Sequence, residues 1–162
     1  MHISIPFVEV LALAASQGPL PPMVAGLRSE GSTAHADIDL REVPSTSTAM
    51  RFALAAAGTV TVTARVVSFA AGVATVAVTA HAWGLPAHKL LPYLVDPIAG
   101  AVRKAGLPDG IVRIERGDGD PVVLVDVQKA VDSRVEGLVV TGVALTDDQV
   151  VVDAAVGAFR RL

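Results

Sequence analysis

Apolar and polar residues alternate along long stretches of this chain, most clearly from residue 59 onward. Thr59, Thr61, Thr63 and Arg65 interleave with Val60, Val62, Ala64 and Val66, and Val73, Thr75, Ala77, Thr79 and His81 interleave with Ala74, Val76, Val78 and Ala80. Successive side chains of a strand point to opposite faces, so each run predicts a strand with one apolar face and one polar face. Phe69-Ala70-Ala71-Gly72 lies between the runs and supplies a tight turn, because glycine tolerates positive φ. The result is a hairpin over about 59–69 and 72–82, closed off by Leu85-Pro86. The same pattern excludes a membrane span. Residues 66–88 carry no Asp, Glu, Lys or Arg and are long enough to cross a bilayer as a helix, but a span is apolar all round and this segment changes type at every second position.

Alternation returns elsewhere. Ala34, Ala36, Ile38 and Leu40 face one side and His35, Asp37, Asp39 and Arg41 the other, which predicts a half-exposed strand over 32–42. IVRIER turning through GDGD into PVVLVDV predicts a second hairpin, and LVVTGVAL turning through Thr146-Asp147-Asp148-Gln149 into VVVDAAVG a third. Helical patterns occupy 6–16, with Pro6 in the first turn and Gly18 beyond the end, and 47–57, with a Ser/Thr cap and Gly58 as its stop. In 86–105, Pro92 and Pro97 each remove a backbone donor, so the pattern predicts two helices, the second capped by Asp96 and closed by Gly106. VQKAVDSR offers a short helical connection, and Gly18-Pro19-Leu20-Pro21-Pro22 a loop followed by one helical turn to Arg28. The expected architecture is a single α+β domain over 1–162. It has a predominantly antiparallel sheet of about seven strands, three hairpins plus one strand, with helices packed on one face.

Composition changes this picture in three ways. Hydrophobic residues make up 52% and aromatics only 4%, so the core must be built from alanine, valine and leucine, which need many close contacts or leave room for something else. A net charge of -3, with thirteen scattered Lys and Arg, argues against nucleic acid, whose binding needs concentrated cations. The absence of cysteine excludes disulfides, thiolate metal sites and a cysteine nucleophile. MHISIPFVEVLALAASQG ends in small residues like a signal peptide, but it lacks a basic start and carries Glu9 inside its apolar run, so a cytoplasmic location is expected.

Candidate chemistry is sparse. His35, Asp37 and Asp39 share one strand face and could hold a divalent cation if a fourth ligand came from elsewhere, though Arg41 is equally placed to pair with Asp39. GDGDP at 117–121 has the turn chemistry of a hairpin and lacks the later ligands of a calcium loop. His81 and His88 bracket Trp83, with no serine, carboxylate or third histidine tied to them by spacing. No phosphate-binding glycine motif and no nucleophile elbow occurs. No catalytic residue, resident metal or cofactor is therefore expected.

The last hairpin, GLVVTGVALTDDQVVVDAAVG, with the preceding VDSRV, resembles the closing segment of small bacterial proteins related to the tubular lipid-binding (TULIP) superfamily. The resemblance covers about the final 35 residues. It implies a curved antiparallel sheet around a helix and a precedent for lipid binding, and it carries over no site residue. Two functions of different class follow. The first is a non-enzymatic interaction domain that self-associates, as a dimer, through a sheet edge or helix face, which suits a mean hydropathy of +0.55. The second is a carrier of an apolar, lipid-like ligand in a sheet–helix groove lined by Leu90, Leu91, Leu94, Ile98, Val76 and Val78. A metal-dependent enzyme using His35, Asp37 and Asp39 is the weaker third.

Overall fold

The computed structural model describes residues 1–43, 47–81, 87–115 and 121–157. Among them the chain forms β1 (His2–Pro6), α1 (Phe7–Ser16), β2 (Val24–Glu30), β3 (Thr33–Asp39), α2 (Thr48–Ala57), β4 (Thr59–Ala70), β5 (Val73–His81), α3 (Ala87–Lys104), β6 (Val112–Glu115), β7 (Val122–Asp126), α4 (Val127–Asp132), β8 (Leu138–Thr146) and β9 (Gln149–Val156). A 3-10 turn at Leu40–Glu42 follows β3. The strands make a six-stranded sheet, ordered β2-β3-β4-β5-β7-β6, and a three-stranded sheet, ordered β1-β9-β8. Every ladder is antiparallel.

The α+β, antiparallel expectation holds, with nine strands in two sheets among the described residues where the sequence pattern predicts about seven in one. The two additions have separate causes. β1 is only five residues long, and it pairs with β9 at the far end of the chain, with Ile3 opposite Val152 and Ile5 opposite Val150. His2, Ile3, Ser4 and Ile5 do alternate, but the run merges at once with the apolar residues of α1. β2 occupies the segment expected as a helical turn, and an irregularity between Val24 and Gly26 breaks its alternation. A third difference is α3, one helix running through Pro92 and Pro97 instead of two. Each proline deletes one donor and leaves the rest of the ladder, and packing against β5 and β6 holds the helix across the gaps.

Register fixes which residues share a face. Ile38 pairs with Val60, Ala36 with Val62, Ala80 with Val62 and Val123 with Val76, so the aliphatic members of β3, β4, β5 and β7 form one continuous apolar face. Met23, Ile38, Leu40, Val43, Leu54, Val60 and Val78 are buried there, with Val62, Val76 and Ile98 packed against them. Helices α2 and α3 thus deliver Leu54 and Ile98 to the same face. The opposite face carries Thr61, Thr63, His35, Asp37 and Asp39, all half-buried, and the exposed Thr59 and Arg65.

Two fastenings join the small sheet to the large one. At the β8–β9 turn Asp147 and Asp148 both take positive φ, and the Asp148 carboxylate accepts from the Ser29 hydroxyl at 2.8 Å and from Gly31 N at 3.0 Å. The Asp148 N–H donates in turn to Gly31 O at 2.9 Å, and its carbonyl accepts from Phe7 N at 2.8 Å. At the other fastening the Gln128 side chain imitates a strand. Its Nε2 donates to Leu138 O at 2.8 Å, and its Oε1 accepts from Val140 N at 2.8 Å. The backbone N–H groups of Val127 and Gln128 both donate to Gly72 O in the β4–β5 turn. Gly72 has φ +80°, and a Cβ there would lie 2.5 Å from Gln128 Cβ, so only glycine fits.

Candidate functional site

Among the described residues, small side chains line two mainly apolar hollows. The first, about 200 Å³, lies between the sheets, where Ala34, Ala64 and Ala144 come from three different strands and do not fill the space that Phe7, Val66 and Leu145 enclose. The second is larger. About 830 Å³ opens between the end of α1, the 17–23 connection and the C-terminal half of α3.

The groove follows from local sequence. Pro19, Pro21 and Pro22 keep the connection out of a helix, and Val24 N donates to Pro21 O at 2.9 Å, which fixes where it enters β2. α1 ends where the Ser16 hydroxyl donates to Leu13 O and the Gln17 and Gly18 N–H groups donate to Ala14 O and Ala15 O. Facing these, α3 offers Gly100 and Ala101 and the turn after it Ala105, none of which reaches across the gap. Met23, only 5% exposed, lies between groove and core, and its carbonyl accepts from Asp39 N at 2.7 Å. Gln17, Glu42, Asp96 and Lys104 supply the polar groups among the lining residues. α1 itself is apolar nearly all round, yet none of its residues is buried, and Val8 and Leu13 are 71% and 58% exposed.

The sequence-predicted lining residues fall elsewhere. Val78 is buried in the core, Ile98 packs against it, and Val76 does the same while also lining the small inter-sheet hollow. The side chains of Leu90, Leu91 and Leu94 lie outside the described residues, as do those of His81 and His88 and the 117–120 turn. The sequence pattern puts Ala14 in a helix ending at 16, residues 18–22 in a loop and Met23 in a helical turn, and so shows no groove there. The available signal was their apolarity, since a connection containing Leu20, Met23 and three prolines is too apolar for an ordinary solvated loop.

On the polar face, His35, Asp37 and Asp39 sit side by side but engage different partners. Asp37 accepts from the Thr61 hydroxyl and from Arg28, each at 2.9 Å, and the Thr61 hydrogen bond, followed by the Arg28 hydrogen bond, holds its carboxyl below the ordinary carboxylate range. Asp39 is gripped by Arg41 Nε and Nη2 at 2.9 Å and by Arg41 N at 3.0 Å, which lowers its pKa and raises that of Arg41. His35 Nδ1 lies 3.3 Å from the Thr63 hydroxyl, and its Nε2 is 3.8 Å from the Glu30 carboxylate. No group of three His, Asp or Glu side chains among the described residues is arranged to hold a metal ion.

Comparison with family models, curated proteins and solved structures finds no match for this chain. No helix among the described residues is long and apolar enough to cross a membrane.

Proposed function

We propose that the chain binds an apolar, lipid-like small molecule in the groove between α1, the 17–23 connection and α3, as a carrier and not as an enzyme. The groove carries this reading. Its 830 Å³ falls within the roughly 300–1,000 Å³ of small-molecule sites, and its lining is mainly aliphatic with a few polar groups. The resemblance of the last hairpin to tubular lipid-binding proteins points the same way. The test is a titration with N-phenyl-1-naphthylamine, an uncharged dye that brightens in apolar surroundings. Saturable binding at one dye per chain, lost when Ala101→Trp fills the groove, supports the reading. Signal that rises without saturation, or that Ala101→Trp leaves untouched, refutes it.

Self-association is the second reading, and one observation favours it. Among the described residues eleven apolar side chains are buried, while eleven large ones, including Val8, Leu13 and Phe52, are exposed. A dimer that covers roughly 800 Å² on each partner would remove many of them from water. Sedimentation velocity at micromolar concentration decides it, a single monomeric species ruling the dimer out.

A further inference from the structure

We infer that Gly100 sets what the groove accepts, and that the accepted ligand is a single unbranched aliphatic chain whose head is not anionic. The inference rests on the groove being a binding site. Gly100 lies in the interior of α3, where glycine is a poor helix former, and it lines the groove. A Cβ built on it would meet no described atom within 4 Å beyond its own turn, so packing against the described residues gives no reason for the missing side chain. A ligand lying directly on the helix backbone does give one, because glycine permits the closest approach.

The shape and charge of the groove define that ligand further. Its described walls are mainly Pro, Leu, Met, Ala and Gly, which offer aliphatic contact along their length. A slim aliphatic chain fits such walls and the strip left open at Gly100. Among the described charged lining residues, Glu42 and Asp96 oppose Lys104, a net of -1. A carboxylate or phosphate head would meet two like charges for one opposite charge, whereas a hydroxyl head meets no such penalty.

Calorimetric titration with decanol and with decanoate, both below their aggregation limits, tests this on the full chain and on Gly100→Ala and Gly100→Leu. Wild type binds one decanol, and binds decanoate several-fold more weakly, with the difference shrinking as salt screens the charges. Gly100→Leu weakens decanol binding roughly tenfold or more, since the new side chain occupies the strip. Gly100→Ala raises Tm by roughly 2–4 °C, the gain expected when a helix glycine with free space beside it is replaced. If Gly100→Leu binds decanol as tightly as wild type, the role of Gly100 falls and the groove reading stands. A fall in Tm for Gly100→Ala overturns it too, by showing that the protein itself needs the glycine. Decanoate binding as tightly as decanol removes the head-group preference. A wild-type chain that binds the naphthylamine dye but not decanol overturns the ligand class alone, and one that binds neither overturns the groove reading with it.

Discussion

Removing the Gln128 side chain should loosen the small sheet from the large one by a predictable amount. In Gln128→Ala, the Val140 N–H loses its acceptor and the Leu138 carbonyl its donor, and Val140 is a buried residue at 5% exposure. A buried donor left without a partner costs about 1–3 kcal/mol, and the partly buried carbonyl about 1 kcal/mol more, giving roughly 2–4 kcal/mol in all. For a chain of this size that is a fall in Tm of roughly 5–15 °C. Urea unfolding at pH 7, followed by far-UV circular dichroism, reads it as a lower midpoint at unchanged slope. Gln128→Glu provides a sharper comparison. Its carboxylate still accepts from Val140 N but cannot donate to Leu138 O, and it stands beside Asp132, whose Oδ1 takes 2.7 Å from the native amide. That variant should be destabilised at pH 7 and recover part of the loss as acid protonates it and restores a donor. A midpoint for Gln128→Ala within error of wild type would refute the claim that this side chain fastens the two sheets.

Other consequences follow from single residues. Leu54, 2% exposed in the main core, should cost about 2–4 kcal/mol on truncation to alanine, read by the same unfolding midpoint. Gly72→Ala should lose at least about 1 kcal/mol, since it combines φ +80° with a Cβ contact to Gln128 at 2.5 Å; a neutral result would show that the turn relaxes freely. Asp37 and Asp39 have pKa values lowered by Thr61 and Arg41 respectively, so their contributions are present above about pH 4 and disappear as pH falls through the lowered values. Wild type should therefore lose stability below about pH 4 faster than an Asp37→Asn/Asp39→Asn double variant, and parallel acid limbs would contradict the assignment.

The elements legible in the sequence are those whose signal is local. Strict alternation located β4 and β5 to within a residue or two, and a turn of two adjacent aspartates located the join of β8 and β9, because side-chain period and turn chemistry need no distant partner. β1 and β2 escape where that locality fails: the short alternation of His2, Ile3, Ser4 and Ile5 runs directly into the apolar residues of α1, and an irregularity at Val24 and Gly26 scrambles the other strand. Pro92 and Pro97 suggested a break because a proline's local cost is visible in sequence, whereas the sheet packing that offsets it is not. The groove was harder still. Ala14, Met23 and Gly100 lie far apart along the chain and acquire a common role only once α1, the proline-rich connection and α3 come together. Gln128 and Asp148 read as helix and turn residues, and nothing near them in sequence announces the strands they hold.

The central claim is that the groove beside α3 holds an apolar small molecule, and native mass spectrometry of the purified chain tests it most directly. The account predicts one apolar adduct per chain, removed by organic extraction, restored by decanol and not retained by Ala101→Trp. A chain that carries no adduct as purified and takes up none when decanol is added would contradict it.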